Sequence, residues 1–88
     1  MNGSIVYNKS YDLALRIIRL HSFLTKEKKE YVLSKQVLRS GTAIGALISE
    51  AKFAQSKADF INKMHVALKE ANETLYWVSL LRDSRYLT

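Results

Sequence analysis

Apolar positions recur at steps of three and four along most of this chain, the spacing that gathers side chains on one face of an α-helix. The stretch from Arg39 to Ala51, R-S-G-T-A-I-G-A-L-I-S-E-A, shows it most plainly, with Ala43, Ile44, Leu47, Ile48 and Ala51 on one side. Gly41 and Gly45 interrupt it, four apart on a shared face. A glycine inside a helix costs about 1 kcal/mol relative to alanine, so the pair predicts a second backbone lying close against them. A phosphate cradle is a much weaker reading, because G-x-x-x-G lacks the Lys-Ser/Thr ending of a P-loop and follows no strand.

Extended along the chain, the pattern predicts a single domain over 1–88 with helices at about 11–24, 26–54 and 57–82. Residues 1–9 read as an arm, and Ser10 as the N-cap of the first helix. That helix carries one apolar face of Leu13, Ile17, Leu20 and Leu24 and a second of Tyr11, Leu15 and Ile18, leaving a narrow strip of Asp12, Arg16 and Arg19. A helix apolar on two sides needs covering on two sides. The expectation is therefore a partner subunit over Tyr11, Leu15 and Ile18. The second helix opens in a charged turn, T-K-E-K-K-E, and its core row is Leu33, Val37, Ser40, Ile44, Leu47 or Ile48, and Ala51. Lys28, Lys35 and Arg39, spaced by seven and four, are expected on its outer face.

Ser56 to Asp59, S-K-A-D, resembles a capping box and starts the third helix. Its core row is Phe60, Met64, Ala67, Ala71, Leu75 and Val78. Toward its end Val66, Tyr76, Trp77 and Leu80 make the other side apolar too, again asking for a neighbour, and Tyr76 and Trp77 are expected to be buried. Residues 83–88 read as a connection: Leu87 before Thr88 has the form of a hydrophobic staple ahead of an N-cap. The helix it would introduce is absent, so the fold expected is all-α, an antiparallel up-and-down four-helix bundle with three helices in this chain and the fourth missing.

Charge adds a function class. Fourteen Lys and Arg against eight Asp and Glu leave +6 on 88 residues, which favours an acidic partner, most often nucleic acid. Cysteine is absent, which removes disulfides and thiolate metal sites. With neither a signal-peptide pattern nor an apolar run long enough to span a bilayer, the expectation is a cytoplasmic protein with no membrane partner.

Catalytic chemistry finds little support. His21 and His65 each lack an acidic residue three positions earlier, which removes the Glu-x-x-His pair of di-iron bundles, and no H-E-x-x-H or G-x-S-x-G occurs. Glu70 and Glu73 read as a solvated stripe. No enzyme, cofactor, metal or small-molecule substrate is expected.

Three segments carry a resemblance: V-L-R-S-G-T-A-I-G-A-L-I-S-E-A (Val37 to Ala51), A-Q-S-K-A-D-F-I-N-K-M (Ala54 to Met64) and A-L-K-E-A-N-E-T-L-Y-W (Ala67 to Trp77). As an ordered set they resemble the small bacterial four-helix-bundle proteins encoded within intervening sequences of 23S rRNA genes. The resemblance implies an antiparallel four-helix bundle, often a homopentameric ring, without known catalytic activity. It extends to the accessory variability determinant of diversity-generating retroelements, a basic pentameric barrel that binds nucleic acid. This chain departs from the family's commonest pattern at Ala43 and Leu47, where serine and asparagine are usual. The reading that follows is a non-enzymatic homo-oligomer that binds RNA or DNA without base specificity through Arg16, Arg19, Lys28, Lys35 and Arg39. The alternative is a protein-interaction scaffold whose charge is only solubilising.

Overall fold

The computed structural model describes residues 4–87. Three helices account for most of it: α1 (Ile5–Lys26), α2 (Leu33–Ala51) and α3 (Lys57–Asp83). No strand occurs among the described residues. The molecule is a rod of about 43 × 21 × 17 Å, its length set by the roughly 40 Å that 27 helical residues span.

α2 is the central element. Both α1 and α3 pack along it, whereas no Cα atom of α1 comes within 8 Å of one in α3. The register is antiparallel on both sides. A Cβ added at Gly41 would meet Ile17 and one at Gly45 would meet Ser10, so α1 numbers fall as α2 numbers rise. Across the other flank, Ser40 meets Thr74 and Glu50 pairs with Lys63. The two glycines thus mark a helix crossing, as their spacing predicts.

Burial follows heptad steps. Ser10, Ile17 and Leu24 of α1, and Ala67, Thr74 and Leu81 of α3, are the buried positions on the flanks. Leu24, Val37 and Leu81 have no exposed surface and, with Ile17, form one core cluster, against which Leu20, Trp77, Tyr86 and Leu87 pack. Ile44, Ile48 and Ala67 form the second, toward the other end.

The structure moves several sequence expectations. α1 begins at Ile5, not Tyr11: Ser4 is its N-cap, its side chain accepting from the Tyr7 N–H at 3.0 Å. Ser10 lies in mid-helix, buried against Gly45, with its hydroxyl donating to Tyr7 O. A serine can face a neighbouring helix once its hydroxyl is satisfied locally, which the sequence does not distinguish from a cap. Residues 1–3 of the expected arm and Thr88, the expected N-cap, lie outside the described residues.

α2 starts at Leu33 and ends at Ala51, not 26 to 54. Residues 27–32 form a loop because Lys29 takes a left-handed backbone (φ 56°) and Glu30 folds back, its carboxylate accepting from the N–H groups of Val32, Leu33 and Ser34 at 3.2, 2.9 and 2.7 Å. On α3 the buried row is Ala67, Thr74 and Leu81, while Phe60 and Leu75, expected inside, are exposed. Thr74 is admitted because its hydroxyl is satisfied: it donates to Glu70 O and lies 2.8 Å from the Ser40 hydroxyl. The start of α3 matches its sequence signal. Ser56 Oγ accepts from Asp59 N–H at 3.1 Å, and Asp59 reaches back to the Gln55 N–H at 3.2 Å.

Candidate nucleic-acid interface

Arg16 and Arg19 project from the exposed side of α1. With Lys9, Asp12, Leu13 and Leu15 they line a shallow depression. Positions 9, 16 and 19 share a helix face, spanning about 15 Å at the standard rise. Lys35 is exposed in the first turn of α2. Lys28 is not on α2. It belongs to the loop that joins α1 to α2, its ammonium 5.7 Å from the Phe23 ring centroid, so the expected helical stripe of Lys28, Lys35 and Arg39 does not form. The left-handed turn at Lys29 is what breaks it.

Arg39 faces α3. Its guanidinium pairs with Glu70 at 3.2 Å and also with Glu73, and its Nε donates to Gln36. Glu73 in turn accepts from Trp77 Nε1 at 3.0 Å. These two carboxylates are therefore not a solvated stripe: they clamp one arginine across the α2–α3 seam, and the cluster carries no net positive charge. For Lys9, Arg16, Arg19, Lys28 and Lys35, in contrast, no carboxylate lies within 4 Å among the described residues.

The residues expected at a subunit interface lie on the outer sides of the rod. Tyr11, Leu15 and Ile18 are exposed at 54%, 39% and 50%. Tyr76 and Leu80 are exposed on α3, whereas Val66 and Trp77 are half-buried. Tyr76 is thus not buried within the chain; its ring meets Trp77 edge-on, with centroids 5.1 Å apart. A further apolar row, Ile61, Leu68 and Leu75, lies exposed along α3 at steps of seven. Beside it, Met64 and Phe60 join Val6, Tyr7, Ile48 and Lys52 around a cleft of about 250 Å³ between the three helices.

Sequence reasoning missed the end of the rod where α1 meets α2. The last turn of α1, the loop and the first turn of α2 place Phe23, Tyr31 and Val32 at one end with Lys26, Lys28, Lys29 and Lys35, the loop tied back by the Lys28 N–H to Phe23 O and the Glu30 N–H to Leu24 O. Tyr86 and Leu87 pack at this same end, on the Leu24 cluster, which carries Arg82 and Arg85 there too. The only signal for it was the T-K-E-K-K-E-Y-V run, which reads equally well as a helix start.

Comparison with known proteins supplies the wider setting. The family described as 23S rRNA-intervening sequence protein matches residues 2–88. The chain belongs to that family. A solved crystal structure from Bacteroides thetaiotaomicron, a protein of unknown function from the S23 ribosomal protein family, is 60% identical with a TM-score of 0.94. The match covers 96% of this chain and 78% of that one. No curated protein matches. The family match thus spans the whole described length. No helix of the described residues is long and apolar enough to cross a membrane.

Proposed function

We propose that this chain is a non-enzymatic, cytoplasmic helical module that self-associates and binds RNA or DNA through phosphates, without reading bases. The observation that carries this reading is the number of exposed cations with no carboxylate within 4 Å among the described residues, among them Lys9, Arg16 and Arg19 along α1, and Lys28 and Lys35 toward its end. Arg39 is a lesser contact, because Glu70 and Glu73 already balance it. Cations held on rigid helices can follow a phosphate backbone, whose charge is the same for every sequence.

Self-association is supported by the apolar side chains left in solvent. Tyr11, Leu15 and Ile18 on α1, and Tyr76 and Leu80 with the half-buried Val66 and Trp77 on α3, are the surfaces offered to other copies. The exposed row Ile61, Leu68 and Leu75 along α3 is where a fourth helix completes a four-helix bundle. Exposed apolar rows of this kind are costly in water. The same observation favours a second reading, a scaffold that docks a protein on these faces.

Salt separates the two. For the phosphate reading, log affinity for an RNA falls with log salt by about 0.7–0.9 per phosphate contact. Arg16→Glu with Arg19→Glu lowers both the affinity and that slope, as measured by fluorescence anisotropy of a labelled strand at about 50 and 200 mM salt. Affinity flat in salt, or unchanged by the double reversal, overturns the phosphate reading and leaves the scaffold.

A further inference from the structure

We propose that the α1–α2 end of the rod is a grip for single-stranded nucleic acid, in which Tyr31 and Phe23 stack on bases while the surrounding lysines and arginines hold the flanking phosphates. This rests on the phosphate-binding reading above and gives it a place and a strand preference.

Three observations converge here. Cations crowd this end: Lys26, Lys28, Lys29, Lys35, Arg82 and Arg85 are all exposed, against two exposed carboxylates, Glu27 and Asp83, the latter paired with Arg82 at 2.9 Å. Glu30 does not count among the latter, because it is buried and turned inward onto three backbone N–H groups. At the opposite end Lys9, Lys52, Lys57 and Lys63 are nearly matched by Asp12, Glu50 and Asp59, and Lys63 is paired with Glu50 at 3.2 Å. Both ends display apolar groups, and Lys52 lies over the Tyr7 ring at the other end, but among the described residues the larger surplus of positive charge is at this one.

The second observation is aromatic. Tyr31 and Phe23 are exposed at 59% and 42%, with Val32 at 71% beside them. Lys28 already lies over the Phe23 ring at 5.7 Å. An exposed ring beside cations is the arrangement by which proteins hold unpaired strands, since every base offers a flat face and every nucleotide a phosphate. In a duplex the faces are stacked on one another and out of reach.

The third is the backbone. Among the described residues only Lys29 and Arg85 are non-glycine residues at positive φ, 56° and 72°. Both sit at this end, one after each helix that stops there. The left-handed conformation costs a side-chain-bearing residue about 1–2 kcal/mol, and glycine is the usual occupant. Here both positions hold a cation instead. Glu30 N–H bonds to Leu24 O at 2.9 Å, and the Ser34 hydroxyl to Glu30 O at 2.7 Å, so the loop that presents Tyr31 is fixed from both sides. A ring held on a rigid loop loses little freedom on binding.

The test compares an oligouridylate of about twenty nucleotides with a blunt RNA duplex of similar length, binding the full chain, Tyr31→Ala and Tyr31→Phe at low salt. Tyr31→Ala is expected to weaken the single strand roughly tenfold or more while leaving the duplex unchanged, and Tyr31→Phe to retain wild-type binding. Circular dichroism checks that the variants fold. Equal weakening of strand and duplex, or no weakening of the strand, overturns the grip. In the latter case the phosphate reading still stands if Arg16→Glu with Arg19→Glu weakens binding, and falls with it if no strand is bound at all. Vesicles with an anionic lipid form a separate arm: a Tyr31→Ala loss confined to vesicles makes a lipid surface the occupant and also overturns the grip.

Discussion

Glu30→Ala is expected to destabilise the chain by about 2–4 kcal/mol, because one carboxylate serves as the whole N-terminal cap of α2. Val32, at the N-cap position, contributes no side-chain hydrogen bond. The Val32, Leu33 and Ser34 N–H groups all donate to Glu30 instead. With alanine in place the buried Ser34 N–H has no acceptor, and α2, against which both other helices pack, frays at the Leu24–Val37–Leu81 cluster. Urea denaturation measures the loss. Its pH dependence has a definite sign. Burial pushes the Glu30 carboxyl upward, but the hydrogen bonds from Leu33, Ser34 and Val32 together outweigh it and hold it below its ordinary value of 4.5. A carboxyl lowered in the folded state binds fewer protons there than in the unfolded chain. Its contribution is therefore complete above about pH 4.5 and lost as pH falls through the lower folded value. The stability gap between wild type and Glu30→Ala is accordingly expected to be wide at about pH 7 and narrower at about pH 3. A gap that does not change with pH would place the cap elsewhere.

Gly41→Val is expected to cost about 2–4 kcal/mol, for a different reason. A Cβ at Gly41 would lie 2.7 and 2.9 Å from the two γ carbons of Ile17. Those atoms branch from a β-carbon and are themselves buried in the core, so they cannot swing aside; α1 must move off α2. Valine adds two methyl groups to that clash. The gain in helix propensity over glycine, below about 1 kcal/mol, does not offset it. Gly45→Ala is the contrast. Its Cβ would meet the Ser10 hydroxyl at 3.1 Å, which turns aside only by weakening its bond to Tyr7 O, so the change is expected to cost about 1 kcal/mol, less than Gly41→Val. Equal effects at both glycines would mean that the crossing point is not at Ile17.

These two sites also show how far the sequence carries. The glycine crossing was legible because two glycines four apart weaken an otherwise strong helix unless a neighbouring backbone packs against them. The capping box at Ser56 was legible because it is local. What escaped depends on partners distant in sequence. Ser10 resembles a cap until Gly45 is seen across from it. Thr74 looks like a surface residue until its hydroxyl meets Ser40. Arg39 joins a basic stripe on paper, and only the register between α2 and α3 hands it to Glu70 and Glu73. The α1–α2 loop was hidden because Lys and Glu are good helix formers, and nothing in T-K-E-K-K-E announces that Lys29 will turn left-handed and Glu30 fold back. The exposed tip of Tyr31 and its lysines follows from that turn, so this surface was the one least visible from the sequence.

The central claim, a self-associating module that binds nucleic acid by charge, is tested most directly by the solution mass of the chain under light scattering. It is measured with and without an RNA of about twenty nucleotides, at about 50 and 200 mM salt. An oligomer that persists at both salt concentrations, and gains the mass of RNA only at the lower one, is the predicted result. A monomer whose mass ignores RNA at either concentration would contradict both halves of the claim.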